Sequence, residues 1–271
     1  MGLSVTFVSG LRGAGKSTLI RGMIDRFWKK EPHYIRLVPV GSDKHRPKLC
    51  SMKPEECGLA TARWLEYDED RIFEILPQAL TAIHREDRYG SVIIEADADP
   101  SLRHAYPYDH RLFVMPLPAS VFEVFREPRR AATELQRVLD DTAAFASEIF
   151  GLFDSADADD VDPHEPRSDL TDTQMRGFLY SPLGDELATR IQLQSPYHGL
   201  VESDVIVVNT SVGENRPETA ECLRRIERLL KRIRVSSKQH SELFLCEPRD
   251  GTGKDCQRLK QALETMCRGG Q

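Results

Sequence analysis

The chain has 271 residues, long enough to bury a full α/β core as one large domain or two small ones. Its formal charge is -6 and its basic and acidic residues are interspersed, which excludes the global electrostatic signature of a nucleic-acid binder. No run approaches the ~18 apolar residues of a membrane span, and a strand pattern starts within a few residues of Met1, so a cytoplasmic chain without a leader or membrane anchor is expected. In that compartment the cysteines Cys50, Cys57, Cys222, Cys246, Cys256 and Cys267 are expected as reduced thiols.

Ser4 to Val8 is a short apolar, β-branched run that reads as a buried strand. It leads into Gly10-Leu11-Arg12-Gly13-Ala14-Gly15-Lys16-Ser17, which fits the phosphate-loop pattern G-x-x-x-x-G-K-[ST] at every fixed position. Ser17 to Trp28 follows as a helix with Leu19, Ile20, Met23, Ile24 and Phe27 on one face. Glycines permit turns that a Cβ forbids and let successive N–H groups approach a polyphosphate, to which the helix N-terminus adds its positive dipole end. Lys16 is expected to reach the β and γ phosphates and the Ser17 hydroxyl to ligate Mg²⁺. The candidate residues for binding a nucleoside triphosphate, GTP or ATP, are therefore Gly10, Arg12, Gly13, Ala14, Gly15, Lys16, Ser17 and Thr18. The plain alternative is a tight glycine turn before an ordinary helix; the spacing and the flanking strand and helix favour the phosphate loop.

His33 to Val40 reads as a second strand and ends in Gly41-Ser42-Asp43-Lys44-His45, at the end where α/β sheets bind ligands. Asp43 is a candidate for the Mg²⁺ shell or for orienting an attacking water, with an ordinary turn-forming Asp as the equal alternative. His45, Cys50 and Cys57 offer soft metal ligands, but their spacing fits no tight zinc pattern. Thr61 to Tyr67 reads as a short strand, and Asp68 to Arg85 as a helix with Pro77 as a kink. Ser91-Val92-Ile93-Ile94-Glu95 is a buried strand ending in an acid, followed by Ala96-Asp97-Ala98-Asp99-Pro100; this is the form of a Walker B segment, delivering Glu95 or Asp97 to Mg²⁺ and the γ-phosphate.

A further strand is expected at Arg111 to Met115. From Ala119 to Phe153 the pattern is helical with a break near Pro128, and Arg126, Arg129 and Arg130 at its start read either as a phosphate lid or as arginines paired to nearby acids. Asp154 to Glu165 is an acidic loop without the Gly and Glu of a calcium site, and Leu170 to Gln194 contains helical turns broken at Ser181-Pro182-Leu183-Gly184. Residues 119–200 are thus expected as a helical and acidic insertion within a single domain spanning 1–271. Ser203 to Asn209 is a strongly apolar strand, Glu218 to Arg234 an amphipathic helix, Glu242 to Cys246 a last strand and Lys254 to Met266 a last helix. About seven strands alternating with helices define an α/β fold: a doubly wound, mainly parallel sheet of the P-loop NTPase type with a helical insertion.

Taken together these motifs resemble the SIMIBI-class P-loop GTPases, especially the CobW-like metallochaperones and the MobB-like proteins of molybdenum cofactor biosynthesis. Gly10 to Ser17 is similar to their phosphate loop, and Val92 to Glu95 with Asp99-Pro100 resembles their hydrophobic strand ending in Glu with a downstream Asp-Pro. Asp204 to Asn209 looks like the strand entering the guanine-recognition motif, and Asp250-Gly251-Thr252-Gly253 like the loop before the last helix. The base motif is degenerate: where the family has N-K-x-D, this chain has Asn209-Thr210-Ser211-Val212, and only Asn209 is kept as a nucleotide-binding candidate. A Val offers no acceptor to a guanine edge, at a cost of about 1 to 3 kcal/mol. The family's adjacent-cysteine metal motif is absent.

The resemblance implies a Mg²⁺-dependent, GTPase-like triphosphatase coupled to a protein partner or a metal or cofactor delivery step. Lys16, Asp43 and Glu95 carry the catalysis, and Ser17, Asp43, Glu95 and Asp97 are the candidate Mg²⁺ ligands. Two other readings stay open. In a small-molecule kinase using ATP, Asp43, Glu95 or Asp97 would position an acceptor hydroxyl. A nucleotide-binding scaffold would bind and turn over little.

Overall fold

The computed structural model describes residues 3–27, 32–40, 62–68, 71–88, 90–99, 102, 105–154, 181–237, 241–247 and 255–268. In chain order the elements are β1 (Ser4–Gly10), α1 (Lys16–Phe27), β2 (His33–Pro39), β3 (Ala62–Tyr67), α2 (Ile72–Glu86), β4 (Ser91–Glu95) and β5 (His110–Pro116). They continue as α3 (Val121–Val124), α4 (Pro128–Asp154), α5 (Pro182–Gln192), α6 (Gly199–Glu202), β6 (Val205–Asn209), α7 (Pro217–Ser237), β7 (Glu242–Cys246) and α8 (Cys256–Arg268). All seven strands join one parallel sheet in the order β3-β2-β4-β1-β5-β6-β7.

Parallel strands buried on both faces read as continuous apolar runs, and this sheet is covered on both sides. On one face Val8, Ile93, Leu112, Val207 and Phe244 pack with Leu19 and Ile20 of α1 and Leu259 and Leu263 of α8. On the other, Phe7, Ile35, Val92 and Ile94 pack with Leu76, Leu80 and Ile83 of α2. Beside them Phe113, Met115, Ile206 and Val208 meet Ile226, Leu229, Leu230 and Ile233 of α7. The chain is thus a doubly wound α/β sheet with β1 at its centre. From β1 the chain crosses leftward to β2, and β5 to β7 later extend the sheet to the right, so the C-terminal ends of β1 and its neighbours form the crevice where such sheets bind ligands.

Three prolines lie within or at the start of helices. α2 runs through Pro77 as one helix, because a proline in the second turn forfeits a single i→i−4 bond. Ser181-Pro182-Leu183-Gly184 starts a helix: Ser181 caps α5 by accepting the Gly184 N–H at 3.1 Å, with Pro182 preset for the first turn. Pro128 opens α4 after α3 ends at Val124, so the break expected near Pro128 is present. No described helix is long and apolar enough to cross a membrane.

The expectation that every cysteine is reduced is corrected. Cys246, closing β7, and Cys256, opening α8, form a disulfide with their Cα atoms 5.2 Å apart. Sequence spacing could not show this, since the pairing depends on where the connecting segment returns the chain. Cys222, on α7, is buried, and burial first, with Glu123 second, pushes its thiol up to about 12, so it stays protonated at neutral pH. Closing a loop of this length stabilises a fold by about 3 kcal/mol on chain-entropy grounds. Cys246→Ser should therefore lower the urea midpoint of the oxidised protein and leave that of the dithiothreitol-treated protein unchanged; equal losses in both would assign the effect to packing instead.

Candidate functional site

β1 ends at Gly10 with φ 144°, where a Cβ would stand 2.0 Å from the Val114 carbonyl oxygen of β5. The chain then peels away from the sheet: Leu11 N–H donates to Val114 O at 3.0 Å, Ala14 N–H turns back to Leu11 O at 3.2 Å, and Leu19 N–H closes the first helical bond on Gly15 O at 3.0 Å. Gly13 (φ 75°) and Gly15 (φ 92°) supply the left-handed conformations that bend the loop onto the α1 N-terminus.

The two positions are distinguishable. A Cβ on Gly13 meets nothing within 4 Å, whereas one on Gly15 would come within 2.5 Å of Asn209 Nδ2. Asn209 is buried and donates from that nitrogen to Ala14 O at 2.9 Å, while its Oδ1 accepts from Ser211 N–H and Ser211 Oγ at 3.0 and 2.6 Å. The end of β6 is thereby clamped to the phosphate loop. Gly13→Ala should cost about 1 kcal/mol, the conformational penalty alone, and Gly15→Ala about 3 kcal/mol, because it also displaces the clamp. Urea unfolding of the two variants checks the ordering; equal costs would mean that the clamp contributes nothing.

Lys16 is almost fully buried at 5% exposure and folds back over the loop. Its ammonium donates to Gly10 O at 3.0 Å, Leu11 O at 2.9 Å and Asp97 Oδ1 at 2.9 Å, using all three of its protons. Asp97, half exposed, can be replaced as its partner by an incoming anion.

Glu95 is the buried acid of the site. β4 lies between β1 and β2, with Glu95 in register with Val8 on one side and Arg36 on the other. Its Oε1 accepts from Ser17 Oγ at 2.9 Å and Arg36 Nη1 at 3.1 Å, and its Oε2 accepts from Tyr34 OH at 2.5 Å. Ser17 and Glu95, 78 residues apart, are thus in direct contact.

Of the acids left open by the sequence, Glu95 meets Ser17 and Asp97 meets Lys16. Arg12, within the loop, and Thr18, in the first turn of α1, are exposed. Arg126 pairs with Glu134, and Arg129 and Arg130 are exposed on α4. Asp43, His45, Cys50, Cys57 and the Asp250 to Gly253 loop lie outside the described residues.

Tyr34 and Arg36 were missed by the sequence reading. Their signal was there: two polar-tipped residues at period two in an apolar strand share a face. Among the described residues no three His, Cys, Asp or Glu side chains gather as a metal centre. The Ser17 hydroxyl and Glu95 carboxylate are nevertheless hard oxygen donors of the kind Mg²⁺ accepts alongside phosphate oxygens and water.

A central parallel strand, a glycine loop closing on a helix N-terminus, and an acid from the adjacent strand bonded to the loop's Ser define a P-loop NTPase fold. No family model matches the chain, and no curated protein sequence matches it. Among solved structures it is similar to HypB from Helicobacter pylori in complex with nickel, at 10% identity and TM-score 0.45, over 99% of this chain and 88% of that one. It is also similar to a LAO/AO transport system kinase, at 14% identity and TM-score 0.46, over 99% of this chain and 61% of that one. The class rests on the sheet order and the site.

Proposed function

We propose that the chain is a Mg²⁺-dependent, GTPase-like nucleoside triphosphatase whose nucleotide cycle drives a partner interaction or a metal or cofactor delivery step, as one domain with residues 119–200 as its helical insertion. The observation that carries this is the contact between Ser17 and Glu95 beside a loop whose Lys16 lies buried over the backbone.

Lys16 and the loop amides bind the phosphates and stabilise charge on the transferring phosphoryl group. Ser17 and Glu95, with Asp97 and Asp43 as further candidates, would hold Mg²⁺, which would supply charge neutralisation at the phosphates. Glu95 or Asp43 orients the attacking water. The reading names no base, because Asn209 Oδ1 already accepts from Ser211 and Val212 stands where a carboxylate would read guanine.

A second reading, a metabolite kinase, draws on Asp97: half exposed and beside Lys16, it is placed to take a proton from an acceptor hydroxyl. Titration of GTP and ATP with Mg²⁺ tests the shared core, with Lys16→Ala as the control. Folded protein that binds neither nucleotide rules out both readings, and triphosphate loss that awaits a hydroxyl acceptor favours the kinase.

A further inference from the structure

The two side chains bonded to each other at this site, Ser17 and Glu95, both also meet a cation of the chain itself. Arg36 Nη1 lies 3.1 Å from Glu95 Oε1 and 3.4 Å from Ser17 Oγ, so one guanidinium nitrogen addresses both oxygens proposed for Mg²⁺.

The fold holds Arg36 there. In the sheet register it stands between Glu95 of β4 and Trp64 of β3. Its guanidinium lies 5.5 Å from the centre of the Trp64 ring, a cation–π distance. Backbone pairing, an ion pair and an aromatic platform therefore act on the same side chain.

Electrostatics gives the arrangement a consequence. The Glu95 side chain is 2% exposed, and a carboxylate taken that far from water needs a compensating charge close by. Arg36 supplies it while remaining 18% exposed, so its guanidinium keeps a route to solvent. A divalent cation approaching Ser17 Oγ and Glu95 Oε1 meets a positive charge already at those two atoms, where like charges repel strongly because screening is poor. Tyr34 is uncharged and holds the other oxygen, Oε2, so it does not contest the cation.

We propose that Arg36 is a positioning residue that competes with Mg²⁺ for the Ser17 and Glu95 pair, stabilising the buried carboxylate until the metal displaces it and thereby setting the metal concentration the site requires. The identity of the cation rests on the nucleotide reading above; the competition itself does not.

The test uses Mn²⁺ as a paramagnetic probe, titrated into the full-length protein with and without nucleotide and followed by the electron paramagnetic resonance signal of the free ion. Arg36→Gln should take up Mn²⁺ at a roughly tenfold lower concentration than wild type, and Arg36→Lys, which keeps the charge but loses the fork, should fall between. Arg63→Gln, which removes an exposed cation of β3 paired with Glu86, should leave the midpoint unchanged, which separates competition at Glu95 from a change in overall charge. In EDTA the melting temperature of Arg36→Gln should lie below that of wild type, and Mn²⁺ should restore more of it than wild type gains.

A midpoint in Arg36→Gln that is unchanged or higher overturns the proposal. Should that variant not fold, a midpoint for Arg36→Lys equal to wild type does the same. Protein that shows the Arg36 dependence but binds neither GTP nor ATP supports the competition and rejects the nucleotide reading. Protein that binds nucleotide without any Arg36 dependence rejects the competition alone.

Discussion

Lys16→Ala is expected to weaken binding of Mg²⁺-bound nucleotide by at least ~100-fold while leaving the protein folded. The ammonium is the one loop side chain with three donors converging on a single point, and its present acceptors are two loop carbonyls and a half-exposed carboxylate. The Leu11 carbonyl and Asp97 are part-exposed and regain water when the ammonium is removed, whereas the buried Gly10 carbonyl loses a donor, a cost of about 1–2 kcal/mol that leaves the fold intact. A polyphosphate regains nothing equivalent, since each charge-assisted hydrogen bond it forms is worth about 1.5–3 kcal/mol and two such bonds are lost. Titration of a fluorescent nucleotide analogue measures the loss, and a circular dichroism melt confirms the fold. Affinity within threefold of wild type would remove Lys16 from the site. Lys16→Arg should not rescue, because a planar fork cannot replace a compact ammonium pointing into the loop.

Glu95 separates stability from metal dependence. In Glu95→Ala the Arg36 guanidinium loses the Glu95 charge and the Tyr34 and Ser17 hydroxyls lose the Glu95 oxygens, a cost of about 3 kcal/mol. That figure is the low end for a broken buried pair, since Arg36 is 18% exposed and recovers part of its hydration. Glu95→Gln keeps an acceptor for Ser17 or Tyr34 and should cost about 1 kcal/mol, yet it removes the charge a divalent cation seeks. Urea unfolding should rank wild type above Gln above Ala, whereas Mg²⁺ dependence of nucleotide binding should be lost in both variants. Retention of that dependence in Glu95→Gln would assign the metal to other ligands.

Much of the fold was legible because its signals are local. Apolar runs at Ser4 to Val8, Ser91 to Ile94 and Val205 to Val208 are buried strands, since parallel strands covered on both faces carry no alternation. Helix ends were read less well. Pro182, expected within a break, opens α5, because a proline's effect depends on its distance from the helix start. The candidate site was legible in part. Lys16, Ser17, Glu95 and Asp97 do converge, but the division of labour between Glu95 and Asp97 was open until β4 was placed beside β1. Asn209, kept from the base motif as a nucleotide-binding candidate, has a side chain that ties the end of β6 to Ala14 of the phosphate loop.

The amino-acid sequence by itself determined the phosphate loop, because glycines at Gly10, Gly13 and Gly15 and the Lys16 and Ser17 that follow are contiguous, and backbone conformation there depends on the residues themselves. It also determined the alternation of strands and helices, since hydrophobic periodicity is written within each segment. Only the tertiary structure decided which strands are neighbours. β2 lies against β4 rather than β1, and that placement brings Tyr34 and Arg36 onto Glu95. It likewise joined Cys246 at the end of β7 to Cys256 at the start of α8. Period two along a strand specifies a face but not the strand beside it; strand order follows from how the whole chain buries its two apolar layers, which no single segment carries.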